Sequence, residues 1–144
     1  MKRNLVLGIV LTLGVIIGAT ATRLLDAQPV PVKSTDLLQT DVVGMDGVEV
    51  LVSVVEFAPR ATTGKHTHPG HEVAYVLEGS GVSEVEGQAA DVRKAGTVTY
   101  IPAKKIQESK NQSATETMKV LFFRIHPKGQ PLVDSRLTQP SFVK

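Results

Sequence analysis

Short runs rich in valine and other β-branched residues, each stopped by glycine or proline, fill the chain from about residue 40 to 133. Val48 to Phe57 (VEVLVSVVEF) ends at Ala58-Pro59, and Glu72 to Glu78 (EVAYVLE) ends at Gly79-Ser80-Gly81. Val82 to Glu86, Ala90 to Lys94 and Thr97 to Ile101 follow, punctuated by Gly87-Gln88, Ala95-Gly96 and Pro102. Ile106 to Asn111 alternates weakly. Met118 to His126 (MKVLFFRIH) closes the series before Pro127-Lys128-Gly129. Branched side chains suit the extended backbone, and the turn residues supply the bends between runs. No stretch of the body keeps a period of 3.6 over three turns. The body therefore reads as all-β, a sandwich or barrel of antiparallel strands. Hydrophobic residues at 42% and charged residues at 21% of the 144 suit one globular domain. They exclude a disordered chain, a coiled coil and a multi-span membrane protein.

Ahead of the body, Lys2 and Arg3 precede 19 uncharged residues, Asn4 to Thr22, most of them Leu, Val, Ile, Gly or Ala. A basic start, an apolar run and small residues at Ala19-Thr20-Ala21 predict a secretory signal, with a second cleavage point after Ala27. The same run is long enough for a single transmembrane anchor, in which Gly14-x-x-x-Gly18 is a weak pairing motif. We expect residues 1–27 to be a signal peptide or membrane anchor and residues 28–41 a linker containing Pro29 and Pro31. Residues 42–133 are then the barrel and 134–144 a surface tail. The expected location is exported, periplasmic or otherwise extracytoplasmic, with anchoring to the inner membrane where the segment is retained.

A net charge of +2 and a pI of about 9.0 invite a nucleic-acid reading. The excess lies in the targeting segment. Removing residues 1–21 leaves 14 basic against 14 acidic side chains, and removing 1–27 leaves 13 against 13. A neutral body that is poor in aromatics offers no stacking platform, so we expect no nucleic-acid partner. Membrane contact is expected only through the first segment. Cysteine is absent, so any metal site must use histidine, carboxylate or amide ligands.

Three of the four histidines fall in one short segment, His66-Thr67-His68-Pro69-Gly70-His71-Glu72. Residues two apart on a strand share a face, so the imidazoles of His66 and His68 can converge. Pro69-Gly70 turns the chain, and Glu72 can return a carboxylate to the same point. Two imidazoles and a carboxylate are the ligand set of a facial triad, suited to Fe(II), Mn(II), Ni(II) or Zn(II). The bland alternative is a polar surface turn. His71 neighbours Glu72 and points to the other face of a regular strand, so it reads as a rim residue. His126, at a strand end, reads as a surface residue. Tyr100 reads as lining or filling the barrel, and Lys104 and Lys105 as a solvated turn. Asn111-Gln112-Ser113 matches a glycosylation sequon.

The stretch from Arg60 to Gly79 resembles the first sequence motif of the cupins: Gly, five residues, His-x-His, three or four residues, Glu, six residues, Gly. His66, His68, Glu72 and Gly79 fall on it with the right gaps, while Arg60 stands where the opening Gly belongs. The second motif runs Gly, five residues, Pro-x-Gly, two residues, His, three residues, Asn. Gly96, Pro102 and Asn111 match it, Lys104 replaces its Gly, and Gln107 replaces its His. The resemblance covers about residues 42 to 128. It implies a double-sheet jelly-roll β-barrel and a divalent metal ion held by His66, His68, Glu72 and the residue at position 107. It also implies a homodimeric assembly.

Gln107 leaves three readings open. Its amide oxygen ligates the ion, or its side chain holds a metal-bound water, or the site has lost its metal. Three functions follow from the resemblance and the cluster. The first is a metal-dependent enzyme with dioxygenase- or isomerase-like chemistry on a small organic molecule. The second is the same barrel binding a small ligand without turnover, and the third a dimerising scaffold near the membrane. Fold alone cannot choose among them.

Overall fold

The computed structural model describes residues 32–134. Residues 1–27, expected to be a signal peptide or membrane anchor, and the tail beyond Asp134 lie outside the described residues. Eight strands follow one another: β1 (Val32–Asp41), β2 (Val48–Phe57), β3 (His71–Glu78), β4 (Ser80–Val85), β5 (Asp91–Lys94), β6 (Val98–Ile101), β7 (Gln107–Lys110) and β8 (Met118–Pro127). They form a five-stranded sheet in the order β1-β2-β8-β3-β6 and a three-stranded sheet in the order β5-β4-β7. Every strand pair is antiparallel. The all-β jelly-roll expectation is met.

Seven of these strands coincide with the runs read from sequence to within about two residues at each end. The eighth is a correction. Residues 32–41, expected to belong to a linker, form β1 and pair with β2 from Val32↔Phe57 to Asp41↔Glu49. Nearly all of β1 is exposed apart from half-buried Val32. The strand is held by its backbone ladder at a sheet edge, so it carries no hydrophobic alternation to read.

Alternation on β2, β3 and β8 explains the barrel's interior. Phe57, Val76, Val120 and Ile101 are buried, with Val55, Ala74, Met118 and Phe122 around them. Each large apolar side chain contributes about 1.5–3 kcal/mol by leaving water. The inward face then changes character along the strands. Beyond Phe122 and Val55 the same parity brings in Arg124, His126, Ser53 and Glu49, all buried. The candidate site lies where this polar end meets the apolar one.

Arg60 and Lys104 stand where the motifs have glycine, and they are the two described non-glycine residues with positive φ, at 61° and 64°. A left-handed backbone costs a side-chain-bearing residue about 1–2 kcal/mol. Asn111 is a structural residue. Its amide donates to the carbonyls of Phe57, Ala58 and Glu116 at 3.0, 3.1 and 2.8 Å, and its oxygen accepts from Ser113 N. These bonds tie the loop before β8 to the end of β2.

Candidate functional site

His66 and His68 lie on the segment between β2 and β3, and the backbone of His66 exchanges two hydrogen bonds with Gln107 at the start of β7. That bridge joins the two motifs across the mouth of the barrel. Glu72, on β3, is 1% exposed and faces inward. Gly70 brings the turn before it against β8, and a Cβ there would meet the Ile125 carbonyl oxygen. The Pro-Gly turn is thus fixed by packing as well as by its conformation.

The two imidazoles meet edge to face, their ring planes at 87°. His66 Nδ1 donates to the Gly64 carbonyl at 2.8 Å, and His68 Nδ1 donates to the Leu132 carbonyl at 2.6 Å. A carbonyl only accepts, so the proton of each neutral ring sits on Nδ1 and each Nε2 presents a lone pair. Those two Nε2 atoms face each other at 3.0 Å. Two acceptors at that distance repel unless a cation lies between or beside them. Burial pushes the His68 imidazole below its usual pKa, against the opposing pull of Glu72. Two such lone pairs are chemically suited to a metal ion with nitrogen affinity.

Glu72 Oε2 lies 3.4 Å from His68 Nε2. The same oxygen accepts from the Gln107 amide nitrogen. Glu72 Oε1 accepts from Arg124 Nε at 2.5 Å, and Arg124 Nη1 donates to Ser53 Oγ at 2.6 Å. The donor chemistry fits a divalent ion at two imidazole nitrogens and one carboxylate oxygen. Among the described residues no group of three or more His, Cys, Asp or Glu side chains is arranged so as to hold a metal ion. Both oxygens of the Glu72 carboxylate are taken up by the Gln107 amide and the Arg124 guanidinium.

A cavity of about 570 Å³ opens on this cluster. Val32, Val55, Phe57, Phe122, Leu132 and Val133 form its apolar side, and the cluster forms its polar side. The segment 130–134 lines this cavity through Leu132 and Val133 and is held by two backbone hydrogen bonds that Asp134 and Thr67 exchange at 2.9 and 3.0 Å.

The structure thus brings together His66, His68, Glu72 and Gln107 and adds Arg124. The sequence signal for Arg124 is a charge at the inward parity of a strong apolar strand. Two expectations are corrected. His126 is 2% exposed, because β8 runs on to Pro127 and keeps it in phase with Arg124. Tyr100 faces outward at 54% exposure, because its neighbours Thr99 and Ile101 take the inward parity of β6. There its hydroxyl donates to His71 Nδ1 at 2.6 Å, so His71 sits on the outer face.

The sequence profile of the cupin domain matches residues 53–124. No curated protein sequence matches the chain. Among solved structures, a cupin superfamily protein from Desulfitobacterium hafniense is similar at 22% identity and a TM-score of 0.56, over 71% of this chain and 84% of that one. The DMSP lyase DddQ from Ruegeria pomeroyi is similar at 15% identity and a TM-score of 0.61, over 76% of this chain and 54% of that one. A putative ethanolamine utilization protein from Salmonella typhimurium gives 25% identity and a TM-score of 0.53, over 71% and 75%. With the profile spanning half of the sequence and the barrel built as described, the chain belongs to the cupin family.

Proposed function

We propose that this cupin binds a small organic molecule in the 570 Å³ cavity, beside a divalent ion held by His66, His68 and Glu72. The observation that carries the reading is the pair of Nε2 lone pairs facing each other at 3.0 Å, each ring locked by a backbone carbonyl. When bound, such an ion supplies Lewis acidity toward an oxygen of the ligand. The chain supplies the rest. The apolar side of the cavity takes the body of the ligand, and the Leu132–Val133 segment limits water at the opening. Arg124 and Gln107 aim the Glu72 carboxylate. Gln107 has its amide nitrogen on Glu72, which supports a role in holding the carboxylate over a role as a direct ligand. Oxygenation, isomerisation and binding without turnover are all within reach of such a site. Small-molecule chemistry in this fold is supported by the lyase among the similar structures. Export by the N-terminal segment belongs to the same proposal.

One observation favours a second reading, a binding module without metal. Arg124 already lies against Glu72, so the buried carboxylate has a cation. Calorimetric titration of the full-length protein with Mn(II), Ni(II) and Zn(II) separates the two. We expect one ion per chain, with binding lost in His66→Ala and His68→Ala. Absence of saturable uptake, or equal uptake by both variants, selects the metal-free module.

A further inference from the structure

The five-stranded sheet is apolar on its outer face as well as its inner one. Two rows cross four strands in register: Val52, Phe123, Val73 and Tyr100, then Val54, Leu121, Tyr75 and Val98. Leu77 on β3 and Ile125 on β8 extend the patch at its ends. Val52, Val54 and Leu121 are half-buried, and the other members are 39–63% exposed. Neither row contains a charged side chain. Both tyrosines of the chain and one of its four phenylalanines stand here. Exposed aromatics add nothing to the barrel's core, and such residues are the usual anchors at the centre of a protein interface.

Area and charge decide what covers the face. Its open apolar surface comes to about 700 Å², more than the largest patch on an ordinary monomer and close to the roughly 800 Å² that each partner gives a standard interface. A lipid surface is drawn to unpaired basic side chains, whereas Lys119 at the rim is already paired with Glu78 at 3.0 Å. An uncharged face meets no repulsion from its own copy. Two antiparallel sheets pack face to face about 10 Å apart, with their strands within about 30° of each other. We infer that a second copy of this chain covers the face, in a two-fold dimer anchored by Phe123, Tyr75 and Tyr100. The strands at this seam carry Glu72 and Arg124 on their inner side, so the seam backs onto the candidate site.

The chain has no cysteine, so single-cysteine variants of the full-length protein test the seam directly. The probe is a bismaleimide long enough to bridge sheets about 10 Å apart. Val73→Cys, at the centre of the face, should give a chain-to-chain crosslink. Val92→Cys, 72% exposed on β5 of the other sheet, should give none. Adding Tyr75→Lys to Val73→Cys sets two ammonium groups against the seam and should cut the crosslinked fraction about ten-fold or more. Absence of a crosslink at Val73→Cys overturns the proposal, the result expected where a lipid surface or the chain's own N-terminal residues cover the face. Equal crosslinking at Val92→Cys also overturns it, because association then runs through another part of the chain. So does undiminished crosslinking with Tyr75→Lys. Where circular dichroism shows that Tyr75→Lys does not fold, Val98→Glu on β6 carries the same test, with the same fall expected.

Discussion

Glu72 is the pivot of the site at the scale of single residues. It sits between Arg124, Gln107 and His68 with almost no solvent contact. Removing one partner of a buried ion pair costs about 3–5 kcal/mol, because the other charge is left uncompensated. Arg124→Met should therefore lower stability by about that amount in chemical denaturation. If an ion also binds Glu72, adding Mn(II) should restore more stability to the variant than to the parent. An equal response in both proteins would separate Glu72 from the ion. His66, His68 and Glu72 were legible from their spacing, and Gln107 from the resemblance to the second cupin motif, because each is local to a motif. Arg124 was not. It reaches Glu72 because β8 pairs with β3 in the register Glu72↔Arg124, and register between distant strands is not written in either one.

Legibility of the strands followed the same division. β2, β3 and β8 announce themselves because each buries one face. β1 buries little beyond Val32, yet it adds Val32 and Ser34 to the lining of the cavity. Its sequence looks like a linker because its stability comes from hydrogen bonds to β2, which any residue except proline can make. An edge strand with exposed side chains opens more easily than the sheet centre. Hydrogen exchange should find the β1 amides released well before those of β2 and β8. Equal protection across the sheet would mean that something covers β1. The segment 130–134 escaped notice for a related reason. Its hold on His68 runs through the Leu132 carbonyl, a backbone group that carries no side-chain signature.

At the scale of the molecule, the barrel is a frame with an apolar end that holds it together and a polar end that costs stability. Buried Glu49, Glu72, Arg124, His126 and the His66–His68 pair all crowd one half of the interior. Folding alone would be served better by leucines at several of these positions, and that is the strongest argument that the polar half exists to bind. The central claim is that His66 and His68 present their Nε2 atoms to one divalent ion. The most direct measurement is the K-edge X-ray absorption spectrum of the full-length protein loaded with one equivalent of Zn(II). Nitrogen and oxygen neighbours at about 2.0–2.2 Å with outer scattering from two imidazoles are predicted, falling to one imidazole in His66→Ala. An all-oxygen shell without imidazole scattering would contradict the claim.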